Sequence, residues 1–188
     1  MRRLVAITLC AALWLTACGT STPTPSPSPT PSPTPAAATN FAEYATAFCS
    51  AWGTLFRVVG NPETATWTDP VLKLKAAAEA YDGPAATRLA NEISPELATA
   101  RGQIAVAGGW PPAAQSMATL DRFFAAEQVW ITAYVNLAAG LPNAPDAQTA
   151  FEAAGGIEGW QGWIEAHAAL APHRPATVAQ CPGVPVGP

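Results

Sequence analysis

From Phe41 onward apolar residues recur every three or four positions. Phe41, Tyr44, Phe48, Trp52, Leu55, Phe56 and Val59 follow helical spacing. Asn40 with Glu43 three residues on supplies the start signal, because an Asn side chain at a helix N-cap accepts from an early backbone N–H. Asp69-Pro70 opens a second, shorter helix to about Tyr81, where Asp82-Gly83-Pro84 breaks it. The third runs from Pro84 to Val106; Ser94-Pro95 is expected to kink or restart it, since proline removes a backbone donor and crowds the preceding turn. Pro111-Pro112 starts the longest helix, to about Ala139. Asp146 caps the last, which passes through Phe151, Ile157, Trp160, Trp163 and Ile164 towards Leu170. Strand-like alternation is absent throughout. The pattern predicts an all-α fold, an antiparallel helical bundle of about four main helices plus a short one, following a disordered proline-rich tether.

Composition sharpens this picture in two places. Forty-two alanines favour helix and let backbones approach closely. Gly155, Gly156, Gly159 and Gly162 cost the last helix roughly 1 kcal/mol each relative to alanine, so they need a reason. Spacing of three along Gly156, Gly159 and Gly162 forms a small-residue ridge that either seats a facing helix closely or marks a break near Gly155-Gly156. Close packing is the simpler of the two.

The start of the chain reads as an export signal. Arg2-Arg3 precedes an apolar run from Leu4 to Leu15, then small residues before a cysteine. Leu15-Thr16-Ala17-Cys18 resembles the lipobox of bacterial lipoproteins. That resemblance covers residues 1–18 only; it implies removal of a signal peptide, residues 1–17, and acyl chains such as palmitate on the sulfur and amine of Cys18. The expected location is the cell envelope, lipid-anchored on the extracytoplasmic side of a bacterial membrane. Residues 18–39 form the predicted tether. Every second residue from Pro23 to Pro35 is proline with Ser or Thr between, which favours extended polyproline II and a spacer of roughly 40 Å. A helical domain is expected over 40–182 and a flexible tail over 183–188.

Losing the signal leaves seven basic against thirteen acidic residues, a net charge of −6. Nucleic acid is a poor partner for such a chain. The expected contacts are the membrane, through the lipid, and a protein or small molecule of unknown identity. In an oxidising compartment the even pair Cys49 and Cys181 is expected to form a disulfide that closes most of the domain into one loop.

Motifs of catalysis are scarce. No G-x-S-x-G, H-E-x-x-H, P-loop or G-x-G-x-x-G occurs, and no cofactor or metal is predicted. A helical projection nevertheless turns two polar residues inward. Glu127 falls amid the apolar face of the longest helix, and His167 falls near the centre of the apolar face on the last. A carboxylate buried without partners costs several kcal/mol, so Glu127 must find donors, become protonated or reach a cavity. One reading makes both residues satisfied core groups. Another makes Glu127, Trp130, Trp160, Trp163 and His167 the lining of an inter-helix pocket, which a preformed cavity of about 300 Å³ or more would favour. Trp67, Trp110 and His173, flanked by loop signals, are expected to be exposed.

Three functions compete on this evidence. A binding or interaction module without chemistry of its own comes first, and a carrier or sensor of a small apolar or aromatic ligand second. A carboxylate-dependent envelope hydrolase, which needs two converging carboxylates, is third. Geometry also follows from a hairpin turning near Asn143: Glu127 lies level with Gly159, and His167 with Thr119, roughly 12 Å away along the axis. No direct contact is expected between them. Trp160 is then the natural donor to Glu127, and His167 takes a partner on another helix. Replacing Cys18→Ser should release the protein from the membrane fraction or stall it as a precursor. Unchanged acylation and fractionation would contradict the lipobox.

Overall fold

A computed structural model of the protein describes residues 35–62 and 64–184. The expected signal, Cys18, the expected tether up to residue 34 and the last four residues lie outside the described residues. The domain contains helices α1 (Phe41–Val58), α2 (Asp69–Glu79), α3 (Gly83–Ala107), α4 (Ala114–Ala138), α5 (Ala147–Ala153), α6 (Gly156–His167) and α7 (Arg174–Gln180). Single 3-10 stretches, Pro111–Ala113 and Ala168–His173, precede α4 and α7. This is the all-α bundle that the periodicity predicts. Helix α4 is its axis, packing against α2, α3, α5 and α6, while α1 lies on α3.

Side-chain caps set the starts of three helices. Asn40 accepts from the Glu43 N–H at 3.1 Å, Asp82 from Ala85 at 3.0 Å, and Asp146 from Thr149 at 2.9 Å. Glu43 reaches back one residue beyond the cap, to the Thr39 N–H at 2.7 Å and its hydroxyl at 3.0 Å. Order therefore begins before Asn40. Ala38 is buried and its N–H donates to the Val106 carbonyl at 2.9 Å.

Proline inside α3 neither stops nor restarts it. Leu89, Ile93, Leu97, Ala100 and Ile104 are buried on both sides of Pro95, and one continuous apolar stripe outweighs one missing backbone bond. The expected single last helix, by contrast, is broken. Gly155 adopts φ +78°, a left-handed conformation, and separates α5 from α6. Gly156 follows because the Phe151 ring fills the space that a Cβ would need.

Two short strands correct the expectation of none. Gly60–Asn61 (β1) and Thr66–Trp67 (β2) pair antiparallel, Gly60 opposite Trp67 and Asn61 opposite Thr66. Strands of two residues are too brief to show alternation. Gly60, at φ +132°, is held so close to the Thr66 carbonyl that no side chain fits. Around the other end of the domain, Trp110 and His173 are half-buried rather than exposed: the imidazole stacks on Phe41 at 5.3 Å and stands edge-on to Trp110 at 5.1 Å.

Cys49 on α1 and Cys181 after α7 form the expected disulfide, with Cα atoms 5.2 Å apart and a sequence separation of 132. Closing a loop of that length restricts the unfolded chain by about 5 kcal/mol on a chain-entropy argument. At the centre of the core, Trp52 is fully buried; it lies 4.7 Å from Trp163 and stacks on Trp160 at 6.1 Å.

The glycine ridge sets the register of α6 on α4. A Cβ on Gly159 would fall 2.7 Å from the Phe123 backbone nitrogen, and one on Gly162 would meet only the Thr119 side chain, at 3.1 Å. Gly159 thus lies level with Phe123, about one turn from the expected Glu127. The two glycines should behave differently when replaced. Gly159→Ala is expected to lose about 1–3 kcal/mol in urea melts, because backbone cannot yield. Gly162→Ala should stay within about 1 kcal/mol of wild type, the gain in helix propensity offsetting a small shift of Thr119. Equal losses would contradict the assigned register.

Candidate functional site

Three segments converge on the middle of α4. Phe123, Glu127 and Trp130, spaced by four and three, share a face of that helix. The β1–β2 hairpin lays Trp67 over Trp130, ring centroids 5.3 Å apart. Helix α5 contributes Phe151, edge-on to Phe123 at 6.1 Å, and α6 contributes Trp160, 5.1 Å from the same ring. Between them lies a cavity of about 200 Å³, smaller than the roughly 300 Å³ expected of an inter-helix ligand pocket, with apolar walls Trp67, Phe123, Phe151, Ile157 and Trp160 and the Gln161 side chain at its lining. A second, of about 70 Å³, reaches Trp130 and Gln148 and shares Trp67, Glu127 and Phe151 with the first. Ile157 is 40% exposed, so the larger cavity has a solvent side.

Glu127 lines both cavities and is only 3% exposed. Its Oε2 is buried with no hydrogen-bond partner. Burial alone pushes the carboxyl up to about pKa 8, which makes it a neutral acid at pH 7. The shifted register explains the missing partner. With Gly159 level with Phe123, the α5–α6 break stands opposite Glu127, and glycines there offer no side-chain donor. Arg101 on α3 is committed elsewhere, to both oxygens of Asp121 at 2.7 and 2.9 Å and to Gln128 at 3.2 Å.

Trp160 was the expected donor to Glu127, and it is not one. It shares the larger cavity with the carboxyl, but its ring packs against Trp52, Phe123 and Trp163. Of the five residues expected to line a pocket, Glu127, Trp130 and Trp160 do so. Trp163 and His167 line neither cavity. Trp163 is fully buried against Trp52, and the His167 ring packs on Trp163 at 5.0 Å and Phe48 at 5.6 Å. Nδ1 of His167 lies 3.2 Å from the Ser116 hydroxyl on α4. Ser116 is eleven residues before Glu127, roughly 16 Å along the helix, so the two inward polar groups occupy separate places.

Sequence reasoning missed Trp67 and Phe151 as walls. Trp67 sits between turn signals, and only the unforeseen hairpin folds it inward. Phe151 was assigned to a continuous last helix. A wider depression of about 510 Å³ runs beside residues 36–39 and α1, but half of its lining is alanine, and Glu43, its carboxylate, is exposed and already bonded to Thr39. Among the described residues no cluster of three His, Cys, Asp or Glu is placed to hold a metal ion. Neither cavity around Glu127 presents a second carboxylate from those residues.

Comparison with protein-family models, curated proteins and solved structures finds no match to this chain. Because the folded carboxyl titrates near 8 and the unfolded one near 4.5, the energetic cost of Glu127 is absent below about pH 4.5. It grows as the pH rises and levels off above about 8. Glu127→Gln should thus stabilise the protein relative to wild type by an amount that increases between pH 5 and 8, on the order of 4 kcal/mol. Urea midpoints at pH 5, 6.5 and 8 measure that difference. A constant difference would contradict the shifted carboxyl.

Proposed function

We propose that this protein is an envelope-tethered capture module, held by acylated Cys18 and its proline-rich spacer, that binds a small ring-bearing ligand in the cavity around Glu127. One observation carries the reading: an aromatic-walled cavity holds a single buried carboxyl with an unpartnered oxygen. Apolar walls with a few oriented polar groups are the ordinary composition of a small-ligand site. Had Glu127 been a satisfied core residue, its oxygens would have donors, as buried polar groups generally do. The ligand must be small. An engineered apolar cavity of about 150 Å³ takes up benzene, so one of about 200 Å³ suits a single ring with a short polar arm.

Docking of a protein partner has less support. The large apolar side chains left exposed, Leu72, Tyr81, Val129, Leu141, Ile157 and Val178, come from six different segments. A hydrolase would need a second carboxylate, and no observation supplies one. Attachment is assigned to Cys18 because of the lipobox; no helix among the described residues is long and apolar enough to cross a membrane.

Native mass spectrometry of the protein purified from its own host tests both parts. The expected spectrum shows an acylated N-terminal cysteine and a noncovalent adduct of low mass. An unacylated chain starting elsewhere would refute the tether. Absence of an adduct, together with no binding from an NMR screen of single-ring fragments, would refute capture.

A further inference from the structure

The chemistry of the cavity narrows the ligand further than its size does. Four aromatic side chains, Trp67, Phe123, Phe151 and Trp160, stand around one carboxyl group, and among the described residues no basic side chain lines either cavity. Aromatic faces carry negative partial charge and attract cations, most strongly where water is excluded. A carboxylate adds a full negative charge and accepts N–H donors. An anionic ligand would meet the aromatic faces and the carboxyl with no basic group beside them and only the Gln161 and Gln148 amides as side-chain polar neighbours, and a purely apolar one would leave Oε2 without a partner. We infer that the pocket takes a small primary or secondary ammonium ion with an aromatic or aliphatic ring, its N–H groups donated to Glu127 and its ring held among the aromatic walls.

This rests on the capture reading above and assigns the ligand's charge. An acceptor with a free oxygen distinguishes N–H cations from quaternary ones, which have no hydrogen to donate. Binding also moves a proton. The empty site holds Glu127 as the neutral acid, so an ammonium ion entering from solution converts it to carboxylate: the carboxyl O–H breaks, its proton leaves to water, and the ammonium keeps all of its own. Among the described residues no other charged side chain lines either cavity. Arg101 of α3 is bonded to Asp121 of α4, Glu152 of α5 takes the Gln148 amide at 2.7 Å, and Asp69 of α2 pairs with Lys73. Glu79 of α2 lies near Tyr134 rather than Glu127, and Glu158 of α6 is exposed. Glu127 therefore accounts for the proton.

Calorimetry on the full chain tests this with phenethylamine, its neutral isostere 2-phenylethanol, and anionic phenylacetate. At pH 8 the amine should bind about tenfold or more tightly than the alcohol, as a charge-assisted hydrogen bond to a buried acceptor allows. Phenylacetate should not bind. Below pH 8 the amine's affinity should fall by roughly tenfold per unit, with one proton released per amine bound, read from two buffers of different ionisation enthalpy. Glu127→Gln, similar in shape, should bind amine and alcohol alike with no pH slope. Benzyltrimethylammonium should bind more weakly than benzylamine. Equal binding of phenethylamine and 2-phenylethanol by wild type would overturn the ammonium assignment and leave the pocket reading standing. Failure of all these probes at millimolar concentration would overturn both.

Discussion

With no Cβ at Gly159, helix α6 rests directly on the backbone of α4 at Phe123. That contact fixes the register of the two helices, and the rest of the site follows from it. One turn further along α4 is Glu127, and what stands opposite is the left-handed turn at Gly155 and the bare start of α6. A side chain there would supply a donor or fill the space. Instead the chain leaves a gap, and the hairpin and α5 close over it with Trp67 and Phe151. The same glycine contact places Gly162 against Thr119 and brings His167 to Ser116, where the imidazole is absorbed into the core.

A buried acid without a partner is costly, and a domain of this size tolerates it only when the surrounding packing is strong. Here the reserve is visible. Trp52, Trp163, Tyr44, Phe48 and Phe124 are fully buried, and stacked rings run from Tyr44 through Phe48 to Trp52, with Phe41 tilted against Tyr44. The Cys49–Cys181 bond ties the first helix to the last. Among the described residues Glu127 Oε2, Tyr44 Oη and Trp163 Nε1 are buried without a hydrogen-bond partner, and of these only Glu127 lines the two cavities.

Most of the bundle is legible in the sequence because its signals are local. Asn40 and Asp146 cap where they are expected to, whereas Asp82, read only as a break, caps α3 and Thr68 rather than Asp69 precedes α2; the period of α1 from Phe41 to Leu55 matches its buried face. Glu127 and His167 point inward as the helical projection requires. What the sequence conceals depends on contacts distant along the chain. Pro95 looks like a break, but burial on both sides of it keeps α3 whole. The glycines of the last helix allow two outcomes, and both occur: Gly155 breaks the helix while Gly159 and Gly162 pack. That combination moves the register by a turn, which removes Trp160 from hydrogen-bonding reach of Glu127 as a donor and leaves Trp163 and His167 out of the pocket. The hairpin holding Trp67 is set by two paired residues on each strand, too few for any periodicity.

Everything functional in this account depends on the state of one carboxyl. Carbon-13 NMR of the side-chain carboxyl groups, with the Glu127 signal assigned by its loss in Glu127→Gln, reads that state directly across pH 3 to 10. The account requires a titration midpoint near 8 in the ligand-free protein, well apart from the exposed glutamates. A midpoint near 4.5 would mean that Glu127 is solvated or paired in solution, and it would contradict the buried, unpartnered acid on which the site is built.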